Sequence, residues 1–264
     1  MFRILSLGAG VQSSTLALMI AHGEIPMVDA AIFADTGWEP KKVYEWLDWL
    51  EKQLPFPVHR VEKGNLRTDT INRSNTTGQR VAAVPWHMLM PNGDRAMGRR
   101  QCTHEYKLVP LTKKTRDLVG LVPRQRTKGM LCEMLIGIST DEALRMKPSR
   151  EHWKVHQWPL IDKRMSRTDC LNWMANKGYP TPPKSSCIGC PFHSDTEWRS
   201  IREDPESWAD AIEIDKVIRN QPKIRGQQFM HRSCKPLDEV DFSTAADHGQ
   251  VDMFNNECEG MCGV

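Results

Sequence analysis

A glycine-bearing turn near the start of the chain constrains the fold more than any other stretch. Residues 4–7 form a short apolar run, and Gly8 and Gly10 follow it. Hydroxyl side chains at residues 13–15 then open an apolar segment with helical spacing. This order predicts a strand, a tight loop and the N-terminus of a helix. Because glycines allow close backbone approach and a first helical turn has free N–H groups, the stretch predicts a phosphate site.

The residues of this turn leave three interpretations open. It could be a strand-to-helix turn without a ligand. It approximates the G-x-G-x-x-G pattern of dinucleotide-binding turns, with Ser13 in place of the last glycine. It also resembles the S-G-G-x-D-S phosphate loop of the N-type ATP pyrophosphatases, the PP-loop family. Gly8 stands where that family has its first Ser, and Gln12 where it has Asp.

The next hundred residues continue an alternation of strands and helices. Apolar runs predict strands at residues 28–34 and 58–61, and helical spacing predicts a helix over residues 41–54. Pro55 and Pro57 end that helix. Strands joined by helices pair in parallel, and their ligands bind at the carboxyl ends of the strands. We therefore predict an α/β fold, a parallel twisted sheet flanked by helices.

The rest of the chain mixes loops with weaker helical patterns. Residues 64–100 are polar and predict a long active-site loop rather than core. A strand is predicted at residues 134–138. Helices are predicted at residues 106–119, 167–177 and 195–220.

Length and charge set limits on organisation and partners. The 264 residues are enough for one large domain or a domain with an appendage. We expect a nucleotide-binding α/β domain over residues 1–185 and an irregular, helical, Cys-rich C-terminal region over residues 186–264 that packs on it. The net charge of +3 is too small by itself to indicate nucleic acid. The Lys and Arg residues between 99 and 128 are consistent with either a solvated face or an anion-binding surface.

Cysteine usage points to metal or redox chemistry. We expect no signal peptide, no membrane-spanning segment and a cytoplasmic location. Eight cysteines in a reducing compartment are a poor basis for a disulfide framework. Cys187 and Cys190 form a C-x-x-C turn with Gly189 between them, so both sulfurs can face one metal ion.

Five further segments resemble the phosphoadenylyl-sulfate (PAPS) reductase branch of the PP-loop family, in the family's order within roughly residues 4–192. They lie at residues 32–39, 101–111, 137–145, 158–162 and 187–191. The dinucleotide-binding interpretation explains the opening turn alone. The resemblance implies an adenine nucleotide α-hydrolase-like, Rossmann-like fold and a nucleotide that is ATP or one of the sulfonucleotides PAPS and APS.

The resemblance also implies roles for individual residues. The opening loop would bind the phosphates, and Phe33 and Asp35 would lie near the base or ribose, with Asp35 also a candidate catalytic residue. Mg²⁺ would be expected on the pyrophosphate of ATP, but Gln12 removes a carboxylate from that arrangement. Asp35 could instead form a turn, and Lys107 and Arg145 could be surface charges. The candidate nucleotide-binding residues are Gly8, Ala9, Gly10, Gln12, Ser13, Ser14, Phe33, Asp35, Lys107 and Arg145.

The same resemblance makes Cys102, Cys187 and Cys190 candidate ligands of a [4Fe–4S] cluster, with a structural zinc ion as the alternative. Related cluster proteins have an adjacent Cys-Cys pair where this chain has Gln101 and Cys102. One iron would then be open, unless a fourth ligand comes from elsewhere. The further candidates are Cys234, Cys258 and Cys262.

The C-terminal residues 257–260 resemble the segment that carries the nucleophilic cysteine of the assimilatory reductases, which makes Cys258 a candidate catalytic residue. A frayed terminus is the alternative. The favoured function is a transferase that adenylates an acceptor, with nucleic acid favoured, and transfers sulfur to it. Sulfonucleotide reduction and a non-catalytic, zinc-stabilised, ATP-binding adaptor are the alternatives. The expected partners are a sulfur or electron donor protein and, as one assembly, a homodimer.

Overall fold

A five-stranded parallel sheet forms the centre of the molecule. The computed structural model describes residues 1–74, 84–222, 224–244 and 247. Their strands are β1 (Phe2–Ser6), β2 (Ala30–Asp35), β3 (Val58–Glu62), β4 (His87–Leu89), β5 (Arg95–Met97), β6 (Cys132–Ile136), β7 (Lys154–Gln157) and β8 (Gln227–Phe229). The main sheet has the order β3-β2-β1-β6-β7 with parallel neighbours throughout. The predicted α/β fold class is confirmed.

The strand order creates a switch point beside the first strand. The chain runs from β1 outward to β2 and β3 and then returns to β6 and β7 on the other side of β1. Ser6 pairs with Ile136, so β1 and β6 end at the same level. Ligands of such sheets bind in the crevice outside the carboxyl ends at this point.

Eleven helical segments are present in the described part of the chain. The α-helices are α1 (Val11–Ala21), α2 (Lys41–Glu51), α3 (Leu66–Ile71), α4 (Val109–Leu118), α5 (Pro159–Asp162), α6 (Arg167–Asn176), α7 (Asp195–Arg202) and α8 (Pro205–Arg219). A π-helix covers Thr103–Leu108, and 3₁₀ helices cover Thr140–Arg145 and Leu237–Glu239.

The two faces of the sheet bury different side chains, as alternation along a strand requires. On β1, Leu5 joins the core beneath α1, α2 and α6, whereas Ile4 joins a second core to which α4 contributes Leu111. On the α4 face, β6 presents Cys132 and Met134 to that second core. On the edge strand β7, Lys154 and His156 pair with these two residues, so they lie on the same face of the sheet, towards α4.

A third core joins the C-terminal helices to the loops above the sheet. Trp38, Trp86 and Tyr106 pack with side chains of α7 and α8, and all three are almost fully buried. This core draws on residues from both sides of residue 185. The division at that residue and the packing of a separate C-terminal region stay predictions.

Three parts of the chain differ from the sequence-based expectations. The predicted loop over residues 64–100 contains α3 and the antiparallel strands β4 and β5, to which β8 adds; residues 75–83 lie outside the described range. The predicted helix over residues 195–220 is two helices, because Pro205 cannot donate a backbone hydrogen bond and begins α8 behind the N-cap Asp204. Strand β7 is not predicted from the sequence, because Val155 is its one aliphatic residue and no strand pattern results.

No helix among the described residues is both long enough and apolar enough to cross a membrane.

Candidate functional site

A cleft of about 900 Å³ lies at the switch point of the sheet. Its lining includes the loop that follows β1, the π-helix, residues 142–156 and residues 184–186. This volume is at the upper end of the range of about 300–1,000 Å³ that is usual for ligand pockets. The cleft is therefore in the place, and of the size, where a sheet of this class binds a ligand.

The loop after β1 is built for an anion. Ala9 has a left-handed backbone (φ 57°), a conformation that is costly for a residue with a Cβ. The Ser13 hydroxyl accepts a hydrogen bond from the Gly8 N–H (3.2 Å) and donates one to the Gly10 carbonyl (3.3 Å). Gly10 is the N-cap of α1 and provides no side-chain cap. The first-turn N–H groups, which lack acceptors within a helix, are thus presented at the cleft.

Gly137, just after β6, lets the helix begin this close to the sheet. A Cβ at Gly137 would lie 2.7 Å from the Ser13 backbone nitrogen and 2.8 Å from the Ser13 Cα. Since real Cβ atoms do not approach backbone so closely, any other residue would push the N-terminus of α1 away. The glycine therefore fixes the position of the anion-binding turn.

Gln12 is buried and links three elements. Its amide nitrogen donates to the Ser139 hydroxyl (3.3 Å), and Arg167 at the start of α6 donates to its amide oxygen (3.5 Å). The neutral amide thus donates to one neighbour and accepts from the other, whereas a carboxylate at this position could only accept.

Cations dominate the charged side chains of the cleft. Two carboxylates line it: Glu142, which is ion-paired with Arg145, and Glu151, which accepts a hydrogen bond from the indole N–H of Trp153 (2.9 Å). An excess of one sign in a concave site concentrates ligands of the opposite sign. The Lys and Arg residues that line it are Arg100, Lys107, Arg145, Lys147, Arg150, Lys154, Arg167 and Lys184.

Most of the predicted nucleotide-binding residues meet at this cleft. Three do not line it. Ala9 is fully buried, and the Ser14 hydroxyl accepts a hydrogen bond from the Trp46 indole (3.0 Å). The Asp35 carboxylate accepts from the Gly37 N–H (2.7 Å) and the Tyr44 hydroxyl (2.9 Å), as a turn-forming residue would. Those that line it are Gly8, Gly10, Gln12, Ser13, Phe33, Lys107 and Arg145.

Cys102, Cys187 and Cys190 line a second, much smaller cavity of about 20 Å³. The Cys190 N–H donates to the Cys187 carbonyl (3.0 Å), which closes the C-x-x-C turn. The turn packs directly against the Trp38 ring. A Cβ on Gly189 would lie 2.0 Å from that ring, so a larger residue would not fit there. The three cysteines share this cavity, and their role as ligands stays a prediction.

The size and the surroundings of this cavity limit what the three thiols can bind. Three sulfur ligands suit a thiophilic metal, yet the described residues contain no group of three or more His, Cys, Asp or Glu side chains arranged to hold a metal ion. A space of about 20 Å³ admits a single atom-sized occupant. Cys258 and Cys262 lie outside the described residues, and Cys234 is buried.

A buried carboxylate, not singled out from the sequence, joins the two cavities. Glu39 Oε1 lies 3.3 Å from Lys107 Nζ and 3.6 Å from Cys187 Sγ. Its other oxygen, Oε2, is buried without a partner among the described residues. Lys107 lines both cavities. The segment at residues 32–39 had been noticed for its resemblance, but nothing in the sequence distinguishes Glu39 from a surface carboxylate.

A buried histidine supports the cysteine turn. His193 Nε2 lies 3.0 and 3.1 Å from the carbonyls of Cys187 and Ile188, and its Nδ1 lies 3.7 Å from a Glu197 oxygen. Burial raises the pKa of Glu197, but His193 and Lys184 outweigh it and lower the pKa to about 2. Because Lys184 lines the large cleft, Glu197 connects that cleft with the cysteine turn.

Comparison with known proteins adds little to this geometry. No protein-family model matches the chain, and no curated protein matches it. Among solved structures, the fold is similar to that in the crystal structure of phosphoadenylyl-sulfate (PAPS) reductase from Candida auris, phosphate complex, with 12% identity and a TM-score of 0.45. The match covers 68% of this chain and 74% of that one. At those values the likeness carries no weight for function.

Proposed function

We propose that the chain is an enzyme that binds an adenine nucleotide in the 900 Å³ cleft and uses it to transfer sulfur. The observation that carries the proposal is the uncapped first turn of α1 beside a cleft lined by eight Lys and Arg side chains. This arrangement suits a chain of phosphates. Phe33, at the end of β2, adds an aromatic surface for a base or ribose. The adenine base itself is implied by the sequence resemblance.

The favoured reaction uses ATP. An acceptor oxygen would attack the α-phosphorus, forming the adenylated acceptor and releasing pyrophosphate, and a sulfur nucleophile would then displace AMP. The cations of the cleft would stabilise the charge that develops on the leaving pyrophosphate, together with the expected Mg²⁺. Nucleic acid is the favoured acceptor, and the exposed Arg124, Arg126 and Lys128 support it.

Reduction of a sulfonucleotide is the second candidate, and Gln12 favours it. A loop without its carboxylate, in a cleft where Glu142 is already ion-paired, is better suited to binding phosphates by cations alone than through Mg²⁺. PAPS or APS would then be the ligand, and a thiolate would attack its sulfur. The bond from that sulfur to the nucleotide's phosphate oxygen would break, so that the nucleotide leaves and the sulfonate is held on the thiol until a thiol reductant releases sulfite. Cys258 is the proposed nucleophile for this reaction.

We also propose that Cys102, Cys187 and Cys190 bind a metal group. The sequence resemblance favours a [4Fe–4S] cluster, which would supply sulfur or electrons. The small cavity that the three side chains line favours a single ion instead, such as zinc, which would supply structure; a cluster would require the side chains to move apart. A sulfur or electron donor protein, a homodimer and a cytoplasmic location remain predictions.

The test begins with protein purified without oxygen. Pyrophosphate released from ATP, with or without added RNA or DNA, would support adenylation, and sulfite released from PAPS or APS with a thiol reductant would support reduction. Binding of neither ATP nor PAPS in calorimetry at millimolar concentration would refute the nucleotide site. Iron and zinc content, measured with wild type and Cys187→Ala, would identify the metal group; metal retained in full by the variant would remove Cys187 as a ligand.

A further inference from the structure

The cleft extends away from the phosphate loop as a trough between α4 and the strands β6 and β7. Its sides carry apolar residues of both elements, among them Leu111 of α4 and Met134 and Ile136 of β6. Lys154 and His156 of β7 line the same trough, because they pair with Cys132 and Met134 and so share the α4 face of the sheet. The trough is apolar along its length and cationic at one end.

Lys154 is the unusual residue in the trough. It is 7% exposed, yet its ammonium group has no hydrogen bond or ion pair in the described part of the chain; the ammonium lies 5.7 Å from the centre of the Trp153 ring. Burial lowers its pKa. An ammonium on a largely buried side chain that faces the cleft without a counter-ion is costly, and an anionic ligand would relieve that cost.

The groups around Lys154 form no ion pair with it in the described part of the chain. The negative charge of Glu151 acts on the Lys154 ammonium from a distance, but its carboxylate accepts the Trp153 N–H (2.9 Å). Burial raises the pKa of the facing Cys132 thiol to about 11, so the thiol is neutral at physiological pH. His156, on the same face, is half-buried and bonded to the Lys147 carbonyl (2.8 Å). The positive charge at this end of the trough is therefore available to a ligand.

Lys154 and the phosphate loop lie at different levels of the sheet. Lys154 pairs with Cys132 at the start of β6, whereas the loop follows the level of Ile136 at the other end of that strand. Four residues of strand correspond to about 13 Å. The backbone of Lys154 and the phosphate loop therefore lie at opposite ends of β6.

We propose that Lys154 and the apolar sides of the trough form a subsite for a flat ring that carries a phosphate, bound beside the nucleotide at the loop. The ring would lie against Leu111, Met134 and Ile136, and the phosphate would pair with the Lys154 ammonium. Such a ligand is either a free monophosphate or one unit of a nucleic-acid acceptor. The inference deepens the proposed function, since it locates the second ligand, but the binding itself requires no reaction.

Phenyl phosphate is the simplest probe, with AMP kept at saturation to occupy the loop. Calorimetry should give phenyl phosphate binding to wild type, and Lys154→Met should weaken that binding at least tenfold and by a larger factor than it weakens AMP binding. Lys113→Met, which removes an exposed lysine of α4 outside the cleft, is the matched control and should change neither affinity. Equal binding of phenyl phosphate to wild type and Lys154→Met, or no binding to either, would overturn the subsite.

Two further measurements complete the test. On wild type, phenyl phosphate should protect Lys154 from acylation, as read by mass spectrometry, which keeps the test valid if Lys154→Met fails to fold; unprotected Lys154 contradicts the subsite. UMP and a 5′-phosphorylated uridine dinucleotide distinguish its sources: tighter binding of the dinucleotide supports a nucleic-acid unit, and tighter binding of UMP a free monophosphate. If the wild-type protein binds phenyl phosphate but does not bind AMP, the nucleotide proposal is refuted and the subsite stands.

Discussion

The two cavities above the sheet solve opposite electrostatic problems. The large cleft holds about 900 Å³ and is lined by eight Lys and Arg side chains but two carboxylates, so cations are in excess even though Lys107, Arg145 and Lys184 are ion-paired. The cysteine cavity holds about 20 Å³ between buried side chains, and the charge beside it, Glu39, is paired with Lys107. A solvent-open site can keep unpaired charge at low cost because water screens it, whereas a buried one cannot.

The two cavities meet at one short helix. Thr103 and Lys107 line both cavities, and they lie in the π-helix before α4. Such wide turns are rare and are frequently found at functional sites. Lys107 therefore lines the ligand-binding cleft and also pairs with the buried carboxylate of Glu39. Its contribution to ligand binding and its contribution to stability can be separated by substituting one or both partners of the pair.

Lys107→Met should produce the largest effect. It leaves the Glu39 carboxylate buried without its cation, and breaking a buried pair in this way costs about 3–5 kcal/mol of unfolding free energy. The double variant Glu39→Gln with Lys107→Met should recover most of that loss, since no charge is then stranded. AMP affinity should remain reduced in both. Urea denaturation and calorimetry measure the two quantities, and a single variant as stable as wild type would contradict the pairing.

Glu197 gives a pH dependence of comparable size. Its folded-state pKa, about 2, is below the ordinary 4.5, so its contribution is present above about pH 4.5 and is lost as the pH falls towards 2. The shift corresponds to about 3 kcal/mol. The stability difference between wild type and Glu197→Gln, from urea denaturation, should therefore shrink between pH 5 and pH 2. A difference that stays constant over this range would show that the carboxylate charge is not responsible.

These charge pairs mark the limit of what the sequence could predict. The opening turn was readable because phosphate loops use residues close in sequence, and the parallel sheet followed from alternating strands and helices. Glu39 and Cys187, in contrast, are far apart in sequence, and their proximity depends on how the loops above the sheet pack. Lys154 was missed because strand β7 has too few apolar residues to be recognised. For Asp35, the sequence indicated either a turn former or a ligand contact and did not decide between the two.

Gly137→Ala tests the large cleft at its backbone. The added methyl group would meet the Ser13 backbone, so the first turn of α1 must shift. We expect a loss of about 1–3 kcal/mol in unfolding free energy, as for overpacked cores, and weaker AMP binding because the N–H groups move. Gly129→Ala is the control, since nothing lies within 4 Å of a Cβ there. Unchanged AMP affinity in Gly137→Ala would show that the turn does not contact the nucleotide.

The smallest expected effects distinguish cations within the cleft. Arg145 is partly buried and paired with Glu142, whereas Arg150 is exposed at the rim. A partly desolvated cation interacts more strongly with a phosphate than an exposed one, whose pairs are worth about 0–1 kcal/mol. Arg145→Met should therefore lower AMP affinity about tenfold, and Arg150→Met less than threefold, with the loss for Arg150 vanishing at high salt. Calorimetry at two salt concentrations measures both. Equal losses in the two variants would mean that the ligand responds only to the net charge of the cleft, and that burial does not select which cation holds the phosphate.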